Sequence, residues 1–90
     1  MTIDDIRREI DRLDDELLHI FNQRAALALQ IGHLKKELGL PVYDPQREKR
    51  IFAKMTGNNP GPLDDQAIKR LFERVIDESR TLERIKSKGI

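Results

Sequence analysis

A long series of apolar residues spaced by three and four contains one misfit. The series is Ile3, Ile6, Ile10, Leu13, Leu17, Ile20, position 24, Leu27, Ile31, Leu34 and Leu38, and ten of its eleven members are Ile or Leu. The eleventh is Arg24. Lys35 follows eleven residues later, about three helical turns on and nearly on the same face. Further along, Asp44, Arg47 and Glu48 share a helix face with Ile51 and Met55. Ser79 breaks the stripe formed by Ile68, Phe72, Val75 and Leu82, and Glu83 lies one turn beyond on the same side. Each of these has an ordinary explanation when taken alone. An arginine in a heptad seam fixes register, Lys35 beside Lys36 reads as a solvated helix end, Asp44 as a cap, Ser79 as a small core residue bonded to its own helix, and Glu83 as half of a surface pair. Taken together, three segments place charge on their inward sides. Buried charge needs compensation, and an anionic ligand would supply it. The chemistry open to such a set is charge stabilisation. There is no cysteine, and His19 and His33, fourteen residues apart without clustered carboxylates, read as helix-surface residues rather than metal ligands.

The elements that must carry these residues are legible from their boundaries. Thr2 is placed to cap the backbone N–H three residues on, and Asp4 and Asp5 favour the positive end of a helix dipole. Gly39 supplies a left-handed stop and Pro41 forbids continuation. A first helix over 3–38 would be roughly 50 Å long, whereas a compact chain of this length has a radius of gyration of only about 12 Å. The overhang, with its 3.5-residue repeat, predicts packing against a second copy. After an extended Pro41-Val42-Tyr43 connector, Asp44 as cap and Pro45 at the first helical position start a second helix over 45–56. The segment 56–62 is a loop. Leu63, preceding the cap Asp64, is placed to pack on Ile68, and a third helix runs to about residue 86, with fraying expected over 87–90. The acidic clusters Asp4-Asp5 and Asp14-Asp15-Glu16 read as solvated faces.

Composition narrows the function. Ninety residues form a single domain over 1–90, with 38% apolar and 4% aromatic residues. That is a thin supply for a self-sufficient core, which again favours an oligomer. Lys and Arg number 17 against 16 Asp and Glu, so the basic excess of a nucleic-acid binder is missing. No apolar run approaches the roughly 18 residues of a membrane span, and no signal-peptide pattern opens the chain. A cytoplasmic protein is expected.

One further residue enters through geometry. Arg7 lies seventeen residues before Arg24, roughly 25 Å along the axis and about 100° round it, so the two cannot share a pocket within one chain. In an antiparallel dimer with its two-fold near the middle of the first helix, Arg7 of one chain comes opposite the Arg24–Lys35 half of the other.

The full set resembles a chorismate mutase of the all-helical AroQ class. The resemblance is carried by residues 6–14 (Ile-Arg-Arg-Glu-Ile-Asp-Arg-Leu-Asp), Asn22-Gln23-Arg24, Ile31-Gly32-His33-Leu34-Lys35, the run from Val42 to Glu48, and Ile76-Asp77-Glu78-Ser79. These cover nearly the whole chain in the family's order and spacing. The resemblance implies an all-α chain of three helices, long–short–long, intertwined in a homodimer. It implies conversion of chorismate to prephenate by a Claisen rearrangement in phenylalanine and tyrosine biosynthesis, with no cofactor and no metal. By position, Arg24 would hold a substrate carboxylate, Arg7 would be donated by the partner chain, and Lys35 would bond the ether oxygen. Arg47 would be a further cation, Glu48 and the Asp44 backbone would recognise the ring hydroxyl, and Ser79 would contact a carboxylate. Glu83 falls where many members have glutamine and some glutamate. Glutamine donates a hydrogen bond to the ether oxygen at any pH, glutamate only when protonated, so Glu83 is expected to act as the acid. Two other readings stay open: an isochorismate–pyruvate lyase on the same fold, and a non-catalytic helical dimerisation or regulatory module.

Overall fold

The computed structural model describes the backbone of residues 1–87 and the side chains of residues 1–85; the expected fraying over 88–90 lies outside the described residues. The described residues form three helices: α1 (Ile3–Leu38), α2 (Pro45–Gly57) and α3 (Asp65–Ser87). Their ends follow from local chemistry. Thr2 and Asp5 form a reciprocal capping box, Asp5 N–H donating to Thr2 Oγ1 at 3.1 Å and Thr2 N–H to Asp5 Oδ2 at 3.0 Å. Asp5 is therefore more than a solvated acid: these bonds, that from the Thr2 backbone foremost, and the Arg8 guanidinium hold its carboxyl below the usual 3.8. At the other end Gly39 adopts φ 69°. Its N–H reaches the Lys36 carbonyl at 3.3 Å and that of Leu40 the Lys35 carbonyl at 2.8 Å, the paired bonds of a left-handed helix stop.

Asp44 caps α2 by accepting from Arg47 N–H at 3.1 Å, with Pro45 at the first helical position. Asp64 does the same for α3, accepting from Ala67 N–H at 2.7 Å. The intervening loop is tied by the Asn59 amide, which donates to the Leu63 carbonyl and to Asp65 and accepts from Gly61 N–H. Leu63, expected on Ile68, keeps half of its surface exposed.

α3 lies along α1, and α2 packs on α3 rather than on α1. The result is an elongated body of 54 × 27 × 14 Å with a radius of gyration of 16.3 Å, well above the 12 Å or so of a compact chain. Among the described residues only Ala28, Gly32 and Ile76 are buried. The Ile and Leu series of α1 is uncovered: Ile10, Leu13 and Leu17 each retain nearly half their surface. A single chain thus leaves most of its apolar stripe in water, where burial would be worth about 25 cal/mol per Å². Among the described residues, no helix is long and apolar enough to cross a membrane.

Candidate active site

The small residues of α1 create the site. Ala28, one turn after Arg24, and Gly32, one turn before Lys35 and Lys36, are the places where α1 is buried. Arg24, Ala28, Ile31 and Lys35 then follow the i, i+4, i+7, i+11 pattern of one helix face. That face, the connector, the first two turns of α2 and the middle of α3 enclose a pocket of about 380 Å³, within the range of small-molecule sites. Arg24, Lys35, Asp44, Arg47, Glu48, Ser79 and Glu83 all line it. Arg7 does not, and is exposed on the far half of α1. Met55, on the same face of α2, stays outside the pocket. His19 and His33 are exposed.

Arg24 donates from Nη1 to Ser79 Oγ, and Ser79 Oγ donates in turn to the Val75 carbonyl at 3.0 Å. Ser79 is therefore bonded to its own helix and also an acceptor that aims the guanidinium. Burial, reinforced by the positive charge of Arg47, pushes the Arg24 guanidinium below the ordinary arginine value, while Glu83 opposes the shift. A desolvated cation facing another cation is a site that gains from an anion.

Lys35 closes the pocket's other end. Its ammonium donates to the Val42 carbonyl at 2.8 Å and faces Glu83 Oε1 at 3.2 Å. Both side chains are largely buried, 17% exposed for Lys35 and 12% for Glu83. An ammonium has three donors; one is bonded to the Val42 carbonyl, and Glu83 pairs with the charge.

Arg80 was not among the residues singled out from the sequence, yet it lines the pocket. Its Nη2 donates to Glu48 Oε2 at 2.6 Å, its Nη1 lies 3.8 Å from Asp77, and its guanidinium carbon sits 5.0 Å from the centre of the Tyr43 ring. The available signal was spacing: Ile76, Arg80 and Glu83 lie at i, i+4 and i+7, one face of α3. Arg24, Lys35, Arg47 and Arg80 thus stand against Asp44, Glu48 and Glu83, one net positive charge per pocket. No thiol is available, and the hydroxyl at the site, Ser79, is paired with an arginine rather than a base. The arrangement is built to bind and polarise an anion, with apolar walls from Ala28, Ile51 and Ile76.

The sequence profile of the chorismate mutase type II family matches residues 6–84. A bifunctional chorismate mutase/prephenate dehydratase of Aquifex aeolicus is 36% identical over 84 residues; the match covers 89% of this chain and 23% of that protein. The chain thus spans about a quarter of the length of that relative. Among solved structures, a chorismate mutase of Thermus thermophilus superposes with a TM-score of 0.90 at 43% identity, over 91% of this chain and 93% of that one. A chorismate mutase of Helicobacter pylori in complex with prephenate gives a TM-score of 0.87 at 28% identity, over 98% and 96% of the two chains.

Proposed function

The chain belongs to the chorismate mutase type II family, and on that premise we propose that it converts chorismate to prephenate, as a cytoplasmic homodimer, in phenylalanine and tyrosine biosynthesis. The observation that carries the reading is the convergence of Arg24, Lys35, Arg47, Glu48, Ser79 and Glu83, from three helices, on one pocket. The solved relative that holds prephenate supports the choice of ligand.

A pericyclic rearrangement needs no nucleophile and no proton transfer. It needs a compact substrate conformer and stabilisation of charge that separates as the C–O bond breaks. Arginine forks suit the first requirement, because bidentate carboxylate pairing fixes orientation as well as position. In our reading Arg24, aimed by Ser79, takes one carboxylate. Lys35 takes the ether oxygen, where a fixed cation acts on the developing negative charge. Glu83, beside Lys35, supplies a second donor in its acid form.

The substrate's two carboxylates and an uncovered surface support the dimer. Arg7 from a second copy would add a further arginine fork to the pocket, suited to the second carboxylate. The uncovered Ile and Leu stripe of α1 is the surface such a copy would bury. A mainly apolar pocket of about 320 Å³ on the other side of the Arg24–Ser79 contact, walled by Phe21, Val75 and Leu82, adds to the area open to it.

The test is direct. Adding the purified protein to chorismate should remove the chorismate absorbance and yield prephenate. Release of pyruvate instead would reassign the pocket to lyase chemistry, and no turnover by folded, dimeric protein would leave it a binding or dimerisation module.

A further inference from the structure

We propose that Arg80 is a positioning residue for hydroxyl recognition: it holds the Glu48 carboxylate in place to accept the substrate's ring hydroxyl. The inference rests on the mutase reading and deepens it. Glu48 poses a problem that reading leaves open. It is a carboxylate in a pocket meant for a dianion, and its own charge repels the ligand. Its one favourable use is as an acceptor, since an ionised carboxylate accepts and never donates. The ring hydroxyl is the substrate's donor, so Glu48 has a purpose only if one oxygen is held where that hydroxyl arrives and its charge is offset elsewhere.

Arg80 meets both needs. Its Nη2 bonds Glu48 Oε2 at 2.6 Å, with both side chains mostly buried at 23% and 20% exposure. The pairing leaves Oε1 as the acceptor it does not use. The guanidinium is itself held from three sides: by Glu48 on α2, by Asp77 one turn back on α3 at 3.8 Å, and by the Tyr43 ring of the connector at 5.0 Å. A planar cation that bonds at its edge and stacks on its face has few alternative placements. Glu48 needs such an anchor because α2 has no buried residue of its own. Without it, a flexible glutamate on a lightly packed helix would sample several rotamers, and small misplacements of a positioning group cost up to about 100-fold in rate. Lysine could offset the charge but lacks the fork and the stacking face.

The test compares two substrates in one preparation: chorismate, and an analogue in which hydrogen replaces the ring hydroxyl. Wild-type turnover of chorismate is measured first, and its absence would remove the mutase reading, not this one alone. Given turnover, Arg80→Gln should lower kcat/KM for chorismate by about 10- to 100-fold while changing the analogue little, so that discrimination between the two collapses. Glu48→Gln should do the same, and the double variant should lose no more than Glu48→Gln alone, as expected when one residue acts through another. Arg80→Lys should restore part of the discrimination. The ratio is taken within one folded sample, so lower stability does not shift it, and Arg80→Lys supplies the same ratio if Arg80→Gln does not fold. Equal losses on both substrates, or additive losses in the double variant, would overturn the proposal.

Discussion

Lys35 is held by a hydrogen bond to the Val42 carbonyl and an ion pair with Glu83, so its ammonium is placed before any ligand arrives. Preorganised donors of this kind commonly contribute most to stabilising a transition state. Lys35→Ala should therefore lower kcat/KM by roughly 10²–10³-fold in a continuous chorismate assay; near-normal activity would remove Lys35 from its role. Glu83 stands 3.2 Å from the Lys35 ammonium and can donate to the ether oxygen only as the acid. Glu83→Gln should therefore keep or raise kcat/KM, because the amide donates in its only protonation state; a large loss of activity would show that donation is not what Glu83 does. Both roles, and the nearness of the two groups, were implied by the family resemblance and not by periodicity. Periodicity says which side of a helix a residue occupies, not which neighbour it meets, and α2 with both its connections lies between residues 35 and 83 in the chain. Arg80 escaped notice for the same reason. Its partners Tyr43 and Glu48 are known only once α2 is docked on α3.

At the scale of elements, the boundaries were readable because they depend on neighbours in sequence. Thr2 with Asp5, Gly39 with Pro41, and Asp44 with Pro45 act over three residues or fewer, and α1 and α2 start where those groups put them. The path of the connector was less legible, since the Lys35 bond to the Val42 carbonyl and the Tyr43 stack on Arg80 join segments that no local rule connects. The α1 cap also makes a pH prediction. The Asp5 carboxyl is held below the usual 3.8, first by the Thr2 backbone N–H and then by Arg8. Its ionised form is thus favoured by folding. The contribution is fully present above the ordinary carboxyl value and is lost as pH falls through the depressed one. Asp5→Asn should lower the melting temperature at pH 7, and the gap to wild type should close as pH falls below the ordinary carboxyl value. The effect will be modest and salt-sensitive, because the group is exposed. A gap unchanged over that range would mean that the charge of Asp5 does nothing for the cap.

For the whole molecule, the central question is how a chain with three buried residues among those described stays folded. The uncovered stripe of α1 answers it if a second copy lies along it. The same copy would bring Arg7 to the pocket, so assembly and activity would be linked. Arg7→Ala and Lys35→Ala should each be inactive alone, and mixing them should restore activity, because one pocket of the heterodimer has both residues intact. No recovery in a sample shown by native mass spectrometry to contain the heterodimer would mean that the pockets do not share Arg7. The melting temperature should also rise with protein concentration, as mass action requires of an obligate dimer.

α2 rests on α3, and its backbone stands off from that of α1; between them lie Arg24 and Lys35 on one side and Arg47 and Glu48 on the other. A bound dianion would therefore tie together cations on two helices whose backbones do not meet, a removable keystone between them. Its thermodynamic signature would be local as well as global. At a free concentration 100-fold above Kd, a ligand such as prephenate should add about 2.7 kcal/mol to stability, and amide hydrogen exchange should slow in α2 far more than in the first half of α1. Uniform slowing along the chain would place the strengthening elsewhere. In this protein, completing the fold and recognising the substrate would then be the same event.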